Sequence, residues 1–102
     1  MMLVIVEFRL QPDAEEMFER TLEEMHERIR RYDGFLGEEA CQAMSDASKF
    51  VSLFRFTDRN AVEAWRNDEV HRRAQALAKS EVFSWYQITV AEVERAYEFS
   101  SG

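Results

Sequence analysis

Two hydrophobic periods divide the chain. From Leu3 to Leu10 the pattern is strand-like, with Val4, Val6, Phe8 and Leu10 on one face and Leu3, Ile5, Glu7 and Arg9 on the other. The first half is apolar on both faces, the pattern of a strand covered on both sides. A helical period follows, with Ala14, Phe18, Thr21, Leu22, Met25, Ile29 and Tyr32 on one stripe. Pro12 suits its first turn. Asp13, Glu15, Glu16 and Glu19 load the N-terminal part, and Arg28, Arg30 and Arg31 load the C-terminal end, as the helix dipole favours. Asp33-Gly34 closes the helix, with Gly34 free to take a left-handed cap. Phe35 to Met44 and Phe50 to Phe56 read as strands joined by the turn residues Ser45 to Ser48, a hairpin. Thr57-Asp58 offers a cap for a short helix through Trp65. Asn67 offers another for a helix running to about Lys79 on the stripe Val70, Ala74, Leu77 and Ala78. Phe83 to about Glu94 is the last strand, and Ser100 to Gly102 is expected to fray.

The order is β-α-β-β-α-β with the second helix broken in two. It predicts an α+β, ferredoxin-like fold: a four-stranded antiparallel sheet with its helices on one face. Residues 1–99 form the single expected domain. A chain of 102 residues buries only about two-thirds of its unfolded surface. Yet the chain is 46% hydrophobic and has eight Phe, more than one small core absorbs. With strands apolar on both sides, the surplus is expected between two sheets packed face to face, giving a homodimer in the form of a dimeric α+β barrel.

Charge and cysteine usage narrow the classes. The net charge of −7 argues against a nucleic-acid partner, and the arginine clusters at Arg28–Arg31 and Arg72-Arg73 are short and flanked by acids. Cys41 is the single cysteine, so no internal disulfide forms; inside a strand it is expected to be a small buried hydrophobe. The apolar start Met1 to Val6 is followed at once by Glu7 and Arg9, unlike a signal peptide. No window approaches the ~18 apolar residues of a membrane span. The expectation is a cytoplasmic protein without a membrane partner.

In order and spacing, the opening strand VIVEFRLQP, the acidic helix ending in YDGFLG, the strand FVSLFRF, the Trp65 to His71 segment and the closing VERAYEF resemble the antibiotic-biosynthesis monooxygenase-like family of dimeric α+β barrels. That resemblance implies oxygen chemistry on phenols, quinols and other electron-rich aromatics, with no cofactor. The same family includes haem-degrading enzymes, which carry an Asn in the first strand, a Trp in the helical region and a later haem-ligating His. Here Trp65 matches, but Phe8 holds the Asn position and Gln75 the His position, so haem binding or degradation is the lesser reading.

The candidate residues each have two readings. Trp65 is either the wall of an aromatic-binding pocket or an anchor of its short helix on the core. His71 is a proton acceptor for a phenol, or a surface histidine paired with Asp68 or Glu69. Arg9 and Arg55 stabilise an anion if they face a pocket, or form ion pairs at the sheet edge with Glu7, Glu38 or Glu39. His26, in the acidic helix, is expected to be solvated. Phe8, Gln75 and Tyr86 are candidates to line the pocket, with Gln42 and Gln87 as further polar candidates. Trp85 and Tyr86 point to opposite faces. Two separated histidines make no metal site. The catalytic set is therefore His71, Arg9 and Arg55, and the substrate-binding set Phe8, Trp65, Gln75 and Tyr86. The leading function is a monooxygenase for a small aromatic ligand. The alternative is a non-enzymatic dimeric binding or interaction module whose cavity is filled by its own aromatic side chains.

Overall fold

The computed structural model describes residues 1–102. Its elements are β1 (Met2–Leu10), α1 (Glu15–Ile29), β2 (Phe35–Gln42), β3 (Phe50–Phe56), α2 (Arg59–Arg66), α3 (Glu69–Leu77) and β4 (Phe83–Glu92). The four strands form one antiparallel sheet in the order β2-β3-β1-β4. This is the expected ferredoxin-like α+β arrangement. The broken second helix is α2 followed by α3, and α3 runs on into a single π-helical turn, Ala78–Val82.

Strand alternation decides what faces what. Met2 and Val4 of β1 pack with Phe54 and Phe56 of β3 against Ile29 of α1 and Ala61, Val62 and Trp65 of α2. The same face carries Phe8, which contacts Phe18 of α1 and Phe83 at centroid distances of 5.1 and 5.0 Å. Leu3, Ile5, Val51 and Leu53 lie on the opposite face, where none is fully buried. Burial at about 25 cal/mol per Å² of apolar area makes such a half-covered face a standing reserve of association energy.

Two bulges adjust the inner face. Between Phe35 and Gly37 the pairing of β2 with β3 slips by one residue. A one-residue slip moves every later side chain to the other face. Glu38, opposite Phe54, is therefore turned towards the helices. A second slip, where Arg9 faces Trp85 but Leu10 faces Phe83, brings Phe83 onto the same face as Tyr86.

Helix termini differ from expectation at the starts of α1 and α3. Pro12 and Asp13 form a turn outside α1, Asp13 having φ 62°, and Ala14 stands at the N-cap without a side-chain bond. The start of α3 is capped by Asp68, not Asn67: the Asp68 carboxylate accepts from the His71 backbone N–H at 2.9 Å. Asn67 instead ends α2, its N–H donating to the Glu63 carbonyl at 3.0 Å. Asp58 caps α2 as its position suggested, accepting from the Ala61 N–H at 2.9 Å. Cys41 is exposed rather than buried, because the outer strand β2 is not covered at that end.

Gly34 has φ +89°, and a Cβ there would lie 2.6 Å from Thr57 Oγ1 and 2.7 Å from Ala61 Cβ. Conformational strain and the clash act together, so Gly34→Ala is expected to destabilise the fold by about 2–3 kcal/mol. A urea titration checks this: the midpoint should fall with the slope unchanged.

Candidate functional site

A cavity of about 660 Å³ opens between the inner sheet face and the helices. That size is typical of small-molecule sites, which span about 300–1,000 Å³. Phe8 and Phe54 of the sheet, Phe18 and Ile29 of α1, and Trp65 of α2 supply apolar wall. The polar groups come mainly from the α2–α3 junction, from α1 and from β2.

His71 is the best defined of them. Its ring stacks on Trp65 with centroids 4.1 Å apart and planes 18° off parallel. Its Nδ1 lies 3.0 Å from the Trp65 backbone carbonyl. A carbonyl oxygen can only accept, so Nδ1 carries the hydrogen, and in the neutral ring Nε2 keeps its lone pair. Burial pushes the His71 pKa below its ordinary 6.5, against the opposing pull of the Trp65 carbonyl and the Asp68 charge. The ring is therefore neutral at pH 7, with an acceptor nitrogen and a fixed orientation.

The backbone around His71 is fixed by Asp68. Its Oδ1 accepts from Arg28 Nε at 2.8 Å and from the His71 N–H at 2.9 Å, while Oδ2 accepts from the Tyr32 hydroxyl. The Arg28 bond above all, with Tyr32 and the His71 N–H, holds the Asp68 carboxyl well below the usual carboxylate range despite its burial. The same carboxylate pushes the Tyr32 hydroxyl up. Tyr32 also meets Trp65 edge-on at 5.3 Å. One acidic side chain thus ties α1 to the turn that carries both pocket rings.

Phe8, Trp65, His71, Gln75 and Tyr86 all line this one cavity. Arg9 and Arg55 do not. Arg9 follows Phe8, and alternation sends it to the other sheet face, where Nη2 bonds Asp46 at 2.7 Å and the guanidinium sits 5.1 Å over Trp85. Arg55 likewise follows Phe54, onto the face of Leu3. Neither can serve an anion in the cavity. Gln42 bonds the Ala47 carbonyl and Gln87 reaches Glu7, so of the three glutamines only Gln75 contributes to the wall.

The cavity also contains a pair that sequence reasoning passed over. His26 is only one-third exposed, and its Nε2 lies 2.6 Å from Glu38 Oε1. His26 sits four residues after Leu22 and three before Ile29, a spacing that places it beside the apolar stripe. Glu38 gave no such signal, because its inward direction depends on the bulge at Gly37.

Comparison with known proteins places this geometry in context. A curated-protein comparison finds no match. Among solved structures, a Deinococcus radiodurans protein superposes with a TM-score of 0.85 at 15% identity, covering 99% of this chain and 100% of that one. Rv0793 from Mycobacterium tuberculosis gives 0.79 at 22% identity, with 94% and 98% covered. SnoaB, a cofactor-independent oxygenase from Streptomyces nogalater, gives 0.79 at 12% identity, with 93% and 94% covered. At these identities the likeness is one of fold. The family model for antibiotic biosynthesis monooxygenase matches residues 1–77, which contain every cavity residue discussed above except Phe83 and Tyr86. The chain belongs to the antibiotic biosynthesis monooxygenase family.

Proposed function

We propose that the chain is a monooxygenase for a small electron-rich aromatic, a phenol or quinol, which it binds in the cavity beside Trp65. The observation that carries this reading is the neutral, oriented His71, whose Nε2 is free to accept a proton next to an aromatic wall. A phenolic O–H donating to Nε2 gives up its proton as the ring becomes electron-rich enough to reduce dioxygen. The overall step balances without a further reductant. A ring C–H and the O–H are lost, one oxygen atom becomes a quinone carbonyl, and the other leaves as water. The substrate anion is the electron source, so the reading requires no metal or flavin. In this reading Trp65 and Phe8 shape the cavity, and Gln75 and Tyr86, which also line it, orient the ring. Isotopically labelled dioxygen is the test. One labelled atom should appear in the product and one in water; product carrying no label contradicts the reading.

The open cavity favours ligand binding over a barrel plugged by its own aromatic side chains. Homodimer formation belongs to the same proposal. The outer sheet face carries Leu3, Ile5, Val51 and Leu53 half-buried, with Trp85 at its edge. A second copy laid on that face would cover them and close the barrel. Sedimentation should then give twice the 12.1 kDa chain mass, and Leu53→Glu should return it to that of one chain. A wild-type monomer at micromolar concentration contradicts the dimer.

A further inference from the structure

Glu38 holds one oxygen that the reading above does not use. Its Oε1 accepts from His26 Nε2, which must donate because a carboxylate oxygen only accepts. That bond fixes the His26 ring. The second oxygen, Oε2, is buried with no hydrogen-bond partner, on a side chain only 6% exposed. Its cross-strand neighbour is Phe54, and both residues line the cavity that His71 and Trp65 also line. A buried charged acceptor without a donor is costly, and native proteins leave few of them. Two residues on different walls of the cavity therefore carry acceptors without donors: His71, with Nε2 on α3, and Glu38, with the buried Oε2 on β2. The last torsion of a glutamate side chain is soft, so the carboxylate can turn Oε2 towards a ligand.

We infer that Glu38 is the recognition site for a second hydroxyl on the aromatic ligand. The cavity is then built for dihydroxylated rings, one hydroxyl donating to His71 and the other to Glu38. This inference rests on the aromatic-pocket reading above, which already admits quinols, and assigns to Glu38 the choice of a quinol over a phenol. The preference follows from the acceptor itself. A monohydroxylated ring seals the cavity but leaves Oε2 unpaired, whereas a dihydroxylated ring satisfies it through a charge-assisted bond. Sites that hydrogen-bond a hydroxyl discriminate strongly against the analogue lacking it.

The test is a set of anaerobic dissociation constants for naphthol and the dihydroxynaphthalene isomers, measured calorimetrically on the wild type and on Glu38→Gln. The best dihydroxynaphthalene should bind wild type about tenfold or more tightly than naphthol. In Glu38→Gln, which keeps the side-chain shape but exchanges the charged acceptor for a neutral amide, that advantage should fall to about threefold or less. Naphthol affinity should stay within about threefold, since it uses His71 alone. If no isomer outbinds naphthol on the wild type, the inference fails whatever the variant does. An advantage that survives Glu38→Gln also overturns it, and in both cases the aromatic pocket stands. If neither naphthol nor any isomer binds, the aromatic-pocket reading fails with it.

Discussion

Asp68→Ala is expected to cost about 3 kcal/mol of stability and to lower the melting temperature by about 15 °C in a chain of this length. Three contributions add. The carboxylate loses a buried ion pair with Arg28, the Tyr32 hydroxyl loses its acceptor, and α3 loses its N-cap. Arg28 is part-exposed at 40% and can rehydrate, which keeps the loss at the lower end of the range for a broken buried pair. The cap alone is worth about 1 kcal/mol. The pH dependence has a definite sign. The folded-state pKa of Asp68 is depressed below its ordinary 3.8, so the unfolded chain takes up a proton first as acid is added. The stabilisation is complete above about pH 4 and is lost as the pH falls from there towards the depressed folded value. Wild type should therefore lose stability below pH 4 more steeply than Asp68→Asn. Thermal melts of the two proteins across the acid range check this, and parallel curves would show that Asp68 is not the responsible group.

His71→Ala is expected to lower turnover of a phenolic substrate about hundredfold or more, with a smaller effect on ligand affinity. The effect is local. The His71 imidazole stacks on the Trp65 ring, and its Nδ1–H is committed to the Trp65 carbonyl, which leaves Nε2 as its acceptor. Protonation at Nε2 would abolish the acceptor. Because burial lowers the His71 pKa below 6.5, the acid limb of kcat/KM should have its midpoint below that value, and the alanine variant should lack the limb. A neutral buried histidine also stabilises the fold. That contribution is complete above pH 6.5, where both states are neutral, and is lost as the pH falls through the depressed folded value. His71→Gln separates the two effects. It removes the acid limb while restoring a side chain that can pack on Trp65 and bond its carbonyl.

The periodicity of the chain made most of the fold legible, because strands and helices bury one face each and the residues record which. Phe8, Val4 and Val6 share a face in the sequence and in the structure, and Met25 and Ile29 belong to the stripe that covers them. Trp65 and His71 were legible as a pair, being on adjoining turns, but their stacking depends on Asp68 rather than Asn67 starting α3. Arg9 and Arg55 illustrate a different limit. Alternation placed each on a face, but either face of this sheet is apolar enough to be a pocket, and only the packing of the helices decides. Glu38 lay beyond sequence reasoning for a geometric reason: one extra residue at the Gly37 bulge reverses its direction. His26 fell between the two cases, for its helical position was readable and its partner was not.

A cavity that takes an electron-rich aromatic, with His71 accepting its proton during reaction with dioxygen, must consume oxygen when such a ring is supplied. Oxygen consumption by the purified protein across a panel of phenols and hydroquinones, with His71→Ala measured beside the wild type, tests it most directly. Uptake above autoxidation is expected for at least one ring, falling about hundredfold in the variant at neutral pH. Uptake that never exceeds autoxidation, or that His71→Ala leaves undiminished, would contradict it.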